Sequence, residues 1–246
     1  MEKIPTAKEM SQQLNYLITL LCNKELIQAN TISSIYSAIF QLNRFQTKME
    51  WEYIIKPSTP IKFVPTDDRK LGKIVPQIYL DVAVKPPERD DIPPFIRLDT
   101  KIEIFDWDKK NNSEGDLQSR WHIDLANLKE EGEYQAGPLF HLQAGGHKPQ
   151  SNRKEELKIS RPRWAIPPME LILTCEMILA NFYPEQWEKI RTEKGWLKLI
   201  HIAQSMCYSA YIKRMQNCLF HPQTLTSKRQ SDSVLMAFWA SEWGKN

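Results

Sequence analysis

Residues Phe95 to Trp107 read FIRLDTKIEIFDW, and the fold turns on that stretch. Ile96, Leu98, Ile102 and Ile104 alternate with Arg97, Asp99, Lys101 and Glu103, the period of two that sends apolar side chains to one face of a strand and charges to the other. Downstream, the polar run Asp108 to Gln118, with Asn111, Asn112 and Gly115, reads as a turn. Trp121, Ile123 and Leu125 then alternate with Arg120, His122 and Asp124, so the two segments form an antiparallel hairpin. A third strand, Leu139 to Ala144, follows Gly137-Pro138, presents Phe140 and Leu142 to one side and His141 and Gln143 to the other, and ends at Gly145-Gly146. Before the hairpin, eight prolines between Pro57 and Pro94 exclude long helices, and only Ile78 to Val84 reads as a strand.

Helical periods flank this region. Thr6 and Glu9 have capping-box spacing ahead of Met10, Leu14, Leu17, Ile18 and Leu21, and Thr31 caps a second helix through Ile32, Ile35, Tyr36 and Ile39. Pro167-Pro168 starts a third, with Leu171, Cys175, Ile178, Leu179 and Phe182 on one face. Pro184 separates it from a short piece around Trp187 and Ile190, closed by Gly195. A longer helix carries Trp196, Leu199, Ile200, Ala203, Cys207 and Tyr211, and Ser231 or Asp232 caps a last one through Leu235 and Trp239. The expectation is one α+β domain over 1–246: an N-terminal helix pair (6–49), a central antiparallel sheet of about four strands (74–146), a basic loop (147–164), and a C-terminal helical bundle (168–243) packed on one sheet face.

Composition sets limits on function. Of 246 residues, 41% are hydrophobic and 10% aromatic, which excludes global disorder, and only 8 are Gly, which weakens any Gly-rich nucleotide-loop reading. Thirty-three basic residues against 30 acidic give a net charge of +3, so nucleic-acid contact has to be local rather than spread over the surface. The apolar stretch Tyr16 to Cys22 is too short to span a membrane, and it lacks the flanks of a signal peptide. The four cysteines have no C-x-x-C spacing and read as reduced thiols in apolar settings. The protein is expected in the cytoplasm, without a membrane contact and without a cofactor.

The alternation that hides Trp121, Ile123, Phe140 and Leu142 places His122, Asp124, His141 and Gln143 together on the opposite face. Two imidazoles beside a carboxylate suit general acid–base work on a phosphodiester: one takes the nucleophile's proton, the other protonates the leaving oxygen, and Asp124 orients a ring. Arg120, Arg161, Arg163 and Lys148 are the candidate phosphate ligands, the last three in or beside the basic run from His147 to Trp164. Trp164 next to those cations is suited to stacking a base of RNA or single-stranded DNA. The H-x-D and H-x-Q pairs resemble the paired H-x-(S/T) motifs of two-histidine phosphoesterases in form, but Asp and Gln stand where that family has hydroxyls, and no role is taken from it.

Blander readings stay open beside these. Any sheet with one solvated face shows such alternation. A metal centre of His122, Asp124 and His141 has chemistry suited to zinc or manganese, but it lacks a fourth ligand and helical H-x-x-x-H spacing, so no metal is expected. Asp99, Lys101 and Glu103 run in the order D-x-K-x-E, unlike the D…E-x-K of metal-dependent nucleases, and read as surface ion pairs. The functional expectation is a nucleic-acid-processing protein, a His-based phosphodiesterase or ribonuclease. The alternative is a non-catalytic interaction or nucleic-acid-binding subunit with protein partners.

Overall fold

The chain opens with the capping box that its spacing predicts. Thr6 Oγ1 accepts from Glu9 N (3.2 Å), and Glu9 Oε2 accepts in return from Thr6 N (2.8 Å). In the computed structural model, which describes residues 4–126, 137–145, 163–220 and 238, this box starts α1 (Ala7–Asn23), and Met10, Leu14, Leu17, Ile18 and Leu21 are buried along its inner face. A 3-10 turn, Ala29–Thr31, leads into α2 (Ile32–Asn43). Thr31 stands at the start of α2 but does not cap it, because its hydroxyl donates to the Gln28 carbonyl instead (2.8 Å).

The sheet is larger than the four strands expected, and it begins earlier. It is a curled antiparallel sheet in which β1 (Trp51–Ile55), β4 (Gly72–Val84), β5 (Phe95–Asp108), β6 (Ser113–Leu125), β7 (Phe140–Ala144) and β8 (Trp164–Ala165) follow in order. β2 (Ile61–Lys62) and β3 (Thr66–Asp68) pair with β4 beside β1. β1, β2 and β3 are thus three fragments of a single path along one edge of β4, interrupted where Pro57, Pro60 and Pro65 cannot donate to a ladder. Pro76 sits inside β4 without harm, since its carbonyl accepts from Phe63 N (3.0 Å) on that broken edge and its missing N–H faces the same way.

The β5–β6 hairpin forms as the alternation predicts, with a tighter turn than the polar run suggested. Asp108 pairs with Ser113, Asp108 Oδ1 accepts from Lys110 N (2.8 Å), and Asn112 takes the left-handed φ of 49°. One apolar assignment is reversed. A bulge at Ala83/Val84 pairs Val84 with Phe95, so Phe95 enters the core and Ile96 is 56% exposed.

Ile78, Leu80, Val82, Leu98, Ile102 and Ile123 form the buried face of the sheet. This face meets the helices through specific contacts. Trp51 Nε1 donates to the Pro5 carbonyl (2.8 Å), and Trp121 stacks on Phe182 of α3 (Leu171–Phe182) with ring centroids 6.0 Å apart. Thr66 Oγ1 donates to the Phe182 carbonyl (3.0 Å). α3 begins at Leu171 rather than at Pro167-Pro168, because the buried Glu170 carboxylate accepts from Ile172 N (3.0 Å) and Leu173 N (3.3 Å) as its N-cap. α4 (Pro184–Ile190) carries Pro184 in its first turn. α5 (Lys194–Phe220) takes in Gly195, where a Cβ would collide with the Tyr16 hydroxyl of α1. The Trp187 and Trp196 indoles both donate to Glu176, Trp187 at 2.8 Å. Cys175 and Cys207 are buried and Cys22 is half-buried, and all three are unpaired thiols. No helix among the described residues is long and apolar enough to cross a membrane. The expected last helix lies outside the described residues except for Phe238, whose ring centroid is 5.5 Å from that of Tyr211.

Candidate functional site

On the face of the sheet away from that core, residues of β5, β6 and β7 stand in three transverse rows. Asp99, Asp124 and His141 are directly opposite one another in the first row, and Lys101, His122 and Gln143 in the second. Glu103 and Arg120 form the third. Directly opposed residues have Cβ atoms about 4.5–5.5 Å apart, so each row is a set of side-chain neighbours. The sequence reading therefore placed His122, Asp124, His141 and Gln143 together correctly as neighbours, and the register adds Asp99 to them. The missed signal is the alternation itself, which put Asp99 on this face while its partner strand and register were unknown.

The face is not a freely solvated one. His141 is 3% exposed and Glu103 8%. The side chains of Asp99 and Asp124 are 42% and 25% exposed, which leaves the first row open to solvent at its β5 end. His122 Nδ1 lies 3.6 Å from Asp124 Oδ2, a charge contact longer than a hydrogen bond. Asp99 Oδ2 accepts from Lys101 Nζ (2.6 Å). Four further polar atoms here are buried with no hydrogen-bond partner: Asp99 Oδ1, Asp124 Oδ1, His122 Nε2 and His141 Nδ1.

Electrostatics separates the titratable groups. Burial raises the Asp124 carboxyl, and Asp99 opposite it raises it further, against the opposing pull of His122. Burial pushes His141 down to about 4, aided by the positive charges of Arg163 and His122 and opposed by a hydrogen bond with the Pro138 backbone. His141 is therefore a neutral ring near pH 7, with a lone pair to offer a proton but only a weak hold on it. Of the two imidazoles expected from sequence to act as acid and base, His141 is the one held neutral.

The candidate phosphate ligands fare differently. Arg120 donates through Nε to Glu103 Oε1 (2.6 Å), and Glu103 also accepts from the Tyr79 hydroxyl (3.1 Å), so this guanidinium is committed within the sheet. Arg163 leads into β8, and its charge is felt at His141. Arg161 and Lys148, with most of the basic run, lie outside the described residues. Trp164 is 64% exposed but stands in register with Leu142, on the opposite face from His141. Asp99 and Lys101 are ion-paired as the sequence suggests, whereas Glu103 pairs across to Arg120.

Among the described residues, Asp99, His122 and Asp124 form a group of three side chains whose ligand atoms all lie within 4.8 Å of one another. Chemically, the face can accept a proton at a neutral imidazole and concentrate negative charge beside it. Comparison with known protein families, with curated proteins and with solved structures finds no match.

Proposed function

We propose that this is a nucleic-acid-processing protein that acts on phosphodiesters through the polar face of β5, β6 and β7. The observation that carries the reading is the register row Asp99–Asp124–His141 with His122 beside it: two imidazoles and two carboxylates in one half-buried patch. In this reading His141 accepts the proton of the attacking hydroxyl or water, His122 with Asp99 and Asp124 forms the charge-handling half of the site, and Gln143 orients substrate beside His122. Arg163 neutralises phosphate charge at the β8 edge.

The test is incubation of the purified protein with end-labelled RNA and single-stranded DNA, with and without EDTA, read on denaturing and native gels. Cleavage that is lost in His141→Gln, while circular dichroism and the thermal midpoint are kept, supports the proposal. Cleavage undiminished in that variant, or no cleavage of either nucleic acid, overturns it.

A second reading, a binding subunit without catalysis, draws support from Trp164. An exposed indole on a two-residue edge strand next to Arg163 offers a stacking surface beside a cation. It predicts a gel shift without cleavage that is weakened in Trp164→Ala.

A further inference from the structure

Asp99 and Asp124 oppose each other directly across β5 and β6. Like charges in that position destabilise a sheet unless something sits between them. Lys101 holds only the outer oxygen of Asp99, Oδ2, and His122 approaches only Oδ2 of Asp124. The two Oδ1 atoms and His122 Nε2 are buried and unpartnered, one from each residue of the cluster. A second observation comes from the neighbouring strand. His141, 97% buried by its 3% exposure, presents an unpartnered Nδ1 from the position directly across from Asp124.

We propose that Asp99, His122 and Asp124 bind a divalent cation of the manganese or zinc class. Two carboxylates and one imidazole match the ligand preference of those ions better than that of calcium or magnesium, which favour all-oxygen sites. Ligand bonds of about 2.1 Å put neighbouring ligand atoms about 3.4 Å apart around a tetrahedral ion. The present cluster lies within 4.8 Å, so closing to that spacing needs ligand-atom shifts of about 1.4 Å at most. Three protein ligands leave at least one position open, as in catalytic rather than structural sites. Lys101 acts behind Asp99 as an outer partner that fixes the carboxylate. The inference rests on the reading of this face as the working site and names the ion that supplies its charge-handling half. Asp99 takes the place that the sequence-based set gave to His141.

The experiment is titration of the metal-free full chain with MnCl2 alone. Free Mn2+ is followed by electron paramagnetic resonance, the heat is followed by calorimetry, and ZnCl2 serves as competitor. The expected result is one site per chain, with affinity about tenfold or more weaker in Asp99→Asn and in Asp124→Asn. Asp99→Asn, on the more exposed side chain, keeps the test usable if Asp124→Asn fails to fold. Absence of a stoichiometric site, or binding unchanged in Asp99→Asn, overturns the inference and leaves a proton as the species shared by the two carboxylates. Mn2+ binding without cleavage of RNA or single-stranded DNA upholds the cation site and removes the nucleolytic reading. Cleavage that is indifferent to EDTA, in a chain that binds no Mn2+, does the reverse.

Discussion

Arg120 and Glu103 are joined side by side across the β5–β6 ladder, with side chains only 16% and 10% exposed, and the Tyr79 hydroxyl donates to the same carboxylate oxygen. This relationship gives Arg120 a structural part in the sheet. Removing one partner of a largely buried pair strands the other charge, at a cost of about 3–5 kcal/mol. Arg120→Met is expected to lower stability by roughly that amount in urea denaturation, and Arg120→Met with Glu103→Gln to recover most of it. If nucleic-acid affinity fell in Arg120→Met while stability stayed unchanged, the phosphate-binding role expected of Arg120 from sequence would be supported instead.

Glu170 is fully buried at the start of α3, and burial raises its carboxyl to about 7 against the pull of the Ile172, Leu173 and Leu171 amides and Tyr53. The unfolded value is 4.5, so the folded state prefers the proton. The contribution to stability is fully present below pH 4.5 and is lost as pH rises through 7, amounting to about 3 kcal/mol over that range at 1.36 kcal/mol for each tenfold. Glu170→Gln keeps an acceptor for the Ile172 amide but cannot ionise. The stability difference between Glu170→Gln and the parent should therefore grow in favour of the variant between pH 5 and pH 8. Urea midpoints for both proteins at the two pH values check this, and a difference that does not vary with pH would refute it.

Asp91, 5% exposed in the connection between β4 and β5, accepts from Arg214 Nη1 of α5 (3.2 Å) and from Arg89 Nε and Nη2 (3.0 and 2.8 Å). Burial pushes its carboxyl up, but the hydrogen bonds of Arg89 and Arg214 outweigh this and hold it below the usual range. The pair ties residues 85–94 to α5. Asp91→Asn is expected to cost about 3 kcal/mol and to speed amide hydrogen exchange in 85–94 ahead of the rest of the sheet. Uniform exchange across both regions would show that the tie has no local role.

The alternation in residues 95–107 and 120–125 was sufficient to predict the hairpin, and with 139–144 it identified which side chains share its polar face. It could not predict register. Whether Asp99, Lys101 or Glu103 falls opposite Asp124 depends on the four-residue turn after Asp108 and on the irregularities between Ile104 and Trp107, and a shift of two residues leaves the pattern looking the same. That is why Asp99 was read as a surface ion pair rather than as a neighbour of His122. Ile96 left the core and Phe95 entered it for a similar reason, since Ile96 is the extra residue of a bulge in β5 that only the pairing with Ala83 and Val84 reveals. β1, β2 and β3 escaped notice because prolines cut one strand path into pieces shorter than any period can reveal. The depressed His141 value has no sequence signal, as it arises from burial and from Arg163, which lies just before β8 and far from His141 in the chain.

The fragmented path along β4 has a bearing on how copies of the chain meet one another. A long open sheet invites a neighbouring molecule to add a strand, because a continuous row of free amides and carbonyls is a template. Among the described residues, one rim is built of pieces five, two and three residues long, and the other ends in a two-residue strand. On the longest piece, the Gln41 carboxamide occupies both main-chain groups of Ile54, donating to its carbonyl and accepting from its amide at 3.0 Å each. The rim along β4, one of three strands of thirteen or fourteen residues, thereby offers no continuous template to a neighbouring strand.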